Sequence, residues 1–201
     1  KNLDCRKQVL QFLAENKVSQ VLGCKDILKV EGREAMRLTD GTNSLYVVLR
    51  MPGRSEDDAE QKFDFPTDGF VYDVRTAQAL GRKRSVSAKV PLAGAGCWSV
   101  CAGQASGFEV PLPATIARGS DLQTTIRLNV ASGPAGTRLF RVRLIRPDGT
   151  SGLQFERKLT AADGVCEFKF RMAFNDQKGQ WTLAVKDVLT GLEESFGFNV
   201  K

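Results

Sequence analysis

Gly179-Gln-Trp-Thr-Leu-Ala-Val-Lys-Asp-Val-Leu-Thr-Gly191, followed by Ser195-Phe-Gly-Phe-Asn-Val200, decides how the chain is read. Trp181, Leu183 and Val185 alternate with Thr182, Ala184 and Lys186. That is the period of a strand with one buried face. Asp187 to Gly191 carries turn chemistry, and the next run alternates again, so the stretch predicts a β-hairpin with a tryptophan anchor.

The same period extends upstream. Leu122 to Val130, Arg138 to Ile145, Leu153 to Leu159 and Val165 to Met172 are predicted strands, before Gln180 to Val188 and Glu194 to Val200. Their connections, Ser132 to Gly136, Arg146-Pro-Asp-Gly149, Ala162-Asp-Gly164 and Asn175 to Gly179, hold turn residues. Short strands at this spacing predict an antiparallel sandwich. Gly103 to Pro113, punctuated by two glycines and two prolines, reads as a joint between two units.

Ahead of the joint the strands are shorter. Asp40-Gly41 lies between Arg33 to Leu38 and Ser44 to Arg50 and predicts a hairpin. Pro52 to Glu60 is an acidic loop; Lys62 to Phe65 and Gly69 to Val74 are two strands. Thr76 to Arg84 is a turn, and Ser85 to Leu92 and Cys97 to Ala102 are further strands. Val18 to Leu22 and Asp26 to Val30 are short strands near the start. Asp4 to Asn16 is the one helix candidate: Asp4 can cap it, and Val9, Leu10, Phe12 and Leu13 form its apolar stripe. The expected architecture is mainly β. A leading helix and linker (1–28) precede two antiparallel β-sandwich domains (29–105 and 106–201), the second Ig-like.

The chain has 201 residues, is 42% hydrophobic and 26% charged, and carries a net charge of +6, all ordinary for a globular protein. Its basic residues are interspersed with acids. The densest cluster, Gly81-Arg-Lys-Arg84, reads as a solvated loop, so a nucleic-acid partner is not predicted. No apolar run approaches the ~20 residues that cross a bilayer. Lys1 stands where an initiator Met would, and no secretory signal pattern follows, so the sequence reads as an excised piece of a longer chain. The compartment stays open, with the periplasm or cell exterior favoured.

The five cysteines, Cys5, Cys24, Cys97, Cys101 and Cys166, cannot all pair. Cys97 and Cys101, four apart on a strand, sit ~13 Å from each other, beyond disulfide reach. Their spacing also misses that of zinc and redox motifs. Buried thiols are the expected role.

There is no histidine, which removes Ser-His-Asp and Cys-His catalysis and imidazole metal sites. No phosphate-binding glycine motif occurs. The acids of the first unit, Asp57, Asp58, Glu60, Asp64, Asp68 and Asp73, fall mostly in loops; a paired-carboxylate glycosidase would need some of them in an apolar setting. Asp148, Asp163, Asp176 and Asp187 lie at bends and read as turn formers rather than calcium ligands. Trp181, Trp98, Tyr46 and Tyr72 all read as core rather than as a sugar platform. We assign no catalytic, cofactor-binding or metal-ligating residue. One short echo links Tyr72-Asp-Val-Arg-Thr76 with Lys186-Asp-Val-Leu-Thr190; an Asp and a Thr at each bend would bond the local backbone in the same way twice.

Val71-Tyr-Asp-Val-Arg-Thr-Ala-Gln-Ala-Leu-Gly81 and Val90-Pro-Leu-Ala-Gly94, with Gly32 to Gly41 and Leu45-Tyr-Val-Val-Leu49, resemble the C-terminal β-domain of large bacterial glycoside-hydrolase-like proteins of the β-galactosidase type. Arg146-Pro-Asp-Gly149, Phe174-Asn-Asp176, Gly179-Gln-Trp181 and Asp187-Val-Leu-Thr-Gly191 resemble the Ig-like, macroglobulin-like sandwiches that follow such domains. In that family the catalytic acids lie in an upstream barrel, so none is carried over. The resemblance implies a non-catalytic accessory region of a carbohydrate-active or cell-surface protein. It would contact a glycan or the upstream catalytic domain and need no cofactor. The alternatives are an independent adhesion or protein-binding Ig-like module working through a sheet edge, and a weak glycosidase using loop carboxylates such as Asp57 and Asp58.

Overall fold

The computed structural model describes residues 33–50 and 60–201. The predicted helix at Asp4 to Asn16, the strands at Val18 to Leu22 and Asp26 to Val30, most of the acidic loop with Asp57 and Asp58, and Cys5 and Cys24 lie outside the described residues. The described chain is mainly β and almost entirely antiparallel, with one 3-10 turn at Leu153–Phe155. Among these residues no helix is long and apolar enough to cross a membrane.

Five strands make the first sheet: β1 (Arg33–Thr39), β2 (Ser44–Arg50), β3 (Gln61–Asp73), β4 (Gln78–Ala88) and β5 (Ala95–Cys101), in the order β1-β2-β5-β3-β4. The predicted hairpin at Asp40-Gly41 joins β1 to β2, and the Asp40 carboxylate accepts the amides of Thr42 and Asn43 at 2.8 and 2.6 Å. One face buries Tyr46, Val48, Val71, Trp98 and Val100. The cover for that face comes from the sheet itself. Asp73 of β3 is opposite Trp98, yet the ring of Phe63 lies 4.9 Å from the Trp98 ring. Ten residues of straight strand would put ~33 Å between them. β3 therefore bends back, at the register shift between Asp64 and Gly69, and the β3–β4 hairpin curls over its own sheet.

This corrects three expectations. Lys62 to Phe65 and Gly69 to Val74 are one bent strand. The turn after it ends at Ala77, because β4 starts at Gln78, and β4 in turn stops at Ala88 rather than Leu92. Gly81 to Arg84 is thus not a loop but part of an exposed edge strand, where Arg82 pairs with Asp68 at 2.9 Å. Charged side chains on a sheet edge also discourage pairing with other chains.

The remaining strands are β6 (Ala105–Glu109), β7 (Thr115–Ile116), β8 (Asp121–Val130), β9 (Arg138–Ile145), β10 (Glu156–Ala161), β11 (Val165–Arg171), β12 (Gly179–Asp187) and β13 (Glu193–Val200). They form two sheets, β10-β9-β12-β13-β7 and β11-β8-β6. The two sheets share one core: Leu122, Ile126 and Leu128 from one side meet Phe140, Val142, Leu144, Leu183 and Val185 from the other. Trp181 lies at its centre, fully buried. Its indole N–H donates to the Gln177 carbonyl at 2.8 Å, and its ring lies 5.6 Å from that of Phe155.

The predicted joint is the main surprise here. Gly103 to Pro113 contains β6, which pairs with β8. Phe108 and Val110 point inward while Glu109 points out, and Phe108 packs edge-on against Phe140 at 5.3 Å. Alternation around a large aromatic outweighs the punctuation by Gly and Pro. The strand predicted from Leu153 opens instead as the 3-10 turn, and β7, too short to show a period, pairs parallel to β13.

Candidate functional site

The polar groups that the fold concentrates lie where the curled sheet meets the paired sheets. Arg138 is the first residue of β9 and stands in phase with Phe140, Val142 and Leu144, so its side chain points inward. It is 1% exposed. Asp187, the last residue of β12, is fully buried. Arg138 Nη1 donates to Asp187 Oδ2 at 3.1 Å and to Cys101 Sγ at 3.4 Å, and Nε donates to the Ala135 carbonyl at 2.8 Å. Nη2 is buried with no hydrogen-bond partner among the described residues. Asp187 also accepts the Thr190 hydroxyl at 2.8 Å and the Leu189 amide at 3.3 Å. Burial pushes the Asp187 carboxyl above its ordinary value, opposed by the Arg138 guanidinium and the Thr190 hydroxyl. Burial likewise raises the Cys101 thiol, again opposed by Arg138, which keeps it neutral and a poor nucleophile.

Further bonds tie the same two parts. Asn43 Nδ2 donates to the Ala135 carbonyl at 2.8 Å, the Thr137 amide donates to Asp40 Oδ2 at 2.6 Å, and the Ser99 hydroxyl donates to the Leu189 carbonyl. At Gly136, with φ of 65°, an added Cβ would lie 2.4 Å from Asn43 Nδ2. Only glycine permits that approach together with that backbone.

The short sequence echo sits at this junction. Asp73 Oδ1 accepts the amides of Arg75 and Thr76 at 2.9 and 3.1 Å. Asp187 plays the matching part in the other turn. The next residue donates to the neighbouring strand each time, Val74 to Cys97 and Val188 to Leu139, both at 3.0 Å. The fifth residue is left-handed in both, Ala77 at φ 57° and Gly191 at φ 76°. The two turns also touch: a Cβ on Gly191 would fall 2.3 Å from that of Ala77.

Beside the ion pair opens a cleft of about 330 Å³, lined by Leu38, Leu45, Leu139 and Leu189 with Thr39 and Thr160 at its edges. Leu38 is 42% and Leu139 38% exposed, so the cleft presents apolar surface to solvent.

The acids singled out from sequence are scattered. Glu60 is exposed ahead of β3. Asp64 pairs with Lys62 at 3.0 Å and Asp68 with Arg82. Asp148 accepts the amide and hydroxyl of Thr150, Asp163 the Gly136 amide and Asp176 the Ala173 amide. Trp98, Trp181 and Tyr46 are core residues. Tyr72 is buried as expected, on the face opposite Val71: Val71 enters the core of the curled sheet, while Tyr72, paired with Ser99, lies on the other face. Its burial, which raises its phenol, comes beside Cys101, Arg138 and Asp187. Arg138 and Asn43 were not singled out from sequence. The signal was an arginine at an inward position of a regular strand, a place that alternation reserves for an apolar side chain.

No family model matches the sequence, and no characterised protein matches it. Among solved structures, the Salmonella alpha-2-macroglobulin reacted with methylamine is 13% identical with a TM-score of 0.38, over 85% of this chain and 12% of that one. A beta-glycosidase from Bacteroides vulgatus is 14% identical with a TM-score of 0.33, over 85% of this chain and 25% of that one. The superoxide reductase (neelaredoxin) from Ignicoccus hospitalis is 12% identical with a TM-score of 0.35, over 48% of this chain and 82% of that one. These scores are too low to carry a function across.

Proposed function

We propose that the chain is a non-catalytic accessory region of a larger carbohydrate-active or cell-surface protein. In this reading it comprises a leading segment (1–28) and two β-sandwich domains, 29–105 and 106–201, the second Ig-like, and serves as a support that also contacts a partner. The observation that carries the reading is the use made of its polar groups. Arg138, Asp187, Asn43 and Ser99 are turned inward and bond the two parts of the chain to each other. A buried ion pair is a costly way to gain stability, but it fixes one arrangement of the groups around it. The open surface beside it is leucine and threonine, a lining suited to contact.

A panel of chromogenic glycosides offered to the purified chain tests this. The expected result is no turnover. Turnover that disappears in Asp57→Asn or Asp58→Asn would replace the accessory role with a glycosidase.

A further inference from the structure

The cleft lies where two edge strands converge. β1 is the edge of the curled sheet and β10 an edge of the paired sheets, so among the described residues each has a strand neighbour on one side only. Leu38 and Thr39 at the end of β1, and Thr160 at the end of β10, line the same opening as Leu139 and Leu189. A strand edge offers backbone donors and acceptors to a passing chain.

The surface next to this opening is basic. On β9, Leu139 is opposite Thr160, and Arg141, two residues on, is opposite Lys158. Across the other side of β9, Arg141 is opposite Lys186 of β12. Lys158, Arg141 and Lys186 thus form a row across three strands, one step from the leucines of the cleft. Arg143 lies one step further along β9. The carboxylates facing these four cations are Glu156, bonded to Arg141 at 2.7 Å, and Glu193, bonded to Arg143. Lys158 and Lys186 make no ion pair among the described residues. Asp40 lines the cleft, but its oxygens are taken by the amides of Thr42, Asn43 and Thr137. At the far end of β10, Leu153 is 89% exposed. Leu153 belongs to the 3-10 turn that leads into β10, so the cleft and Leu153 are apolar points at the two ends of a short edge whose strand part, Glu156 to Thr160, spans on the order of 13 Å.

We propose that this edge docks an extended acidic polypeptide segment, which runs beside β10, places an apolar side chain in the cleft and another on Leu153, and sets a carboxylate against Lys158, with the charges of Arg141 and Lys186, one and two strands further in, adding to the attracting field. This rests on the reading of the chain as an accessory region that contacts a partner, and it names that partner's chemistry. An extended strand satisfies the β10 edge, which a folded glycan does not, and the surplus of positive charge selects acids over neutral segments.

The test is an anisotropy titration of the intact chain with a fluorescein-labelled nonapeptide of alternating Glu and Thr, capped by Leu at each end. The expected result is saturable binding that weakens with added salt. The same peptide with Gln for Glu is expected to bind at least about tenfold more weakly, as is the wild-type peptide to Lys158→Glu/Lys186→Glu. Leu139→Asp, a surface change whose folding circular dichroism checks, should abolish binding. No saturable binding, equal binding of the Gln peptide, or binding indifferent to Leu139→Asp each overturns the proposal. So does preference for an acidic oligosaccharide over the peptide. The glycoside panel fails or succeeds independently of this titration, so a wrong function and a wrong ligand are told apart.

Discussion

Arg138 occupies a place in β9 where Leu or Val would satisfy the pattern, and its consequences are electrostatic. Removing one member of a buried pair leaves the other charge without compensation, at about 3–5 kcal/mol. Arg138→Met is therefore expected to lose about that much stability in urea unfolding, while Arg138→Met/Asp187→Leu should recover most of the loss. A single variant within about 1 kcal/mol of wild type would mean that the pair is not clamping anything. Asp148 makes the opposite case, a carboxylate stabilised in the open. Three hydrogen bonds, from the Thr150 hydroxyl, the Thr150 amide and the Gln177 side chain, lower it from 3.8 to about 2. The folded chain thus binds fewer protons at this site than the unfolded chain. Its contribution is complete above the unfolded value and is lost as pH falls through about 2. The unfolding difference between wild type and Asp148→Asn should shrink steadily across that acid range; a pH-independent difference would refute it. From sequence, Asp73, Asp148 and Asp187 looked alike as turn acids. Their local bonds are indeed alike, and only the arrival of Arg138 from another strand sets Asp187 apart. That is a tertiary event which no window of sequence contains.

At the scale of elements, the paired turns are the sharpest case. Each is an Asp-Val-x-Thr turn closed by a left-handed residue, and the tips are in contact. Gly191→Ala would meet both the backbone penalty of a left-handed alanine and the clash with Ala77, a loss of about 2–4 kcal/mol. Ala77→Gly removes the clashing methyl and relaxes its own backbone, so it should stay within about 1 kcal/mol of wild type. In the Ala77→Gly background, Gly191→Ala should cost measurably less than it does alone, but more than the backbone part, because the added Cβ still falls 2.7 Å from the Cα of residue 77. If thermal melts show the two changes simply adding, the contact is absent. The elements that were legible, β1, β2, β5, β8, β9, β11, β12 and β13, are those where period two runs between clear turn residues. The others were misjudged for physical reasons. β3 bends without leaving its sheet, so Pro66 and Asp68 look like a break. β4 is exposed and charged from Gly81 to Arg84 because it is an edge, and that run reads as a loop. β6 is short and flanked by Gly and Pro, and becomes a strand only because β8 supplies its hydrogen bonds.

At the scale of the whole chain, the two hydrophobic cores of the described residues are separate, and the polar junction of Arg138, Asn43 and Ser99 lies between them. Among the described residues the core of the curled sheet is the smaller, nine buried residues around Trp98 against eighteen around Trp181. Less buried apolar surface means less stability of its own. The curled sheet should therefore depend on the junction more than the paired sheets do. Trp98 and Trp181, the two tryptophans of the chain, report on the two cores separately. With Trp181→Phe and Trp98→Phe as single-tryptophan reporters, fluorescence should follow one shared unfolding transition in the otherwise wild-type chain. Once Arg138→Met is added, the Trp98 signal should move to lower denaturant and separate from the Trp181 signal, since the clamp that makes them cooperate is gone. Separate transitions before that change would show two parts that fold independently, with the buried ion pair holding neither in place. Coincident transitions after it would show that apolar packing alone couples the cores.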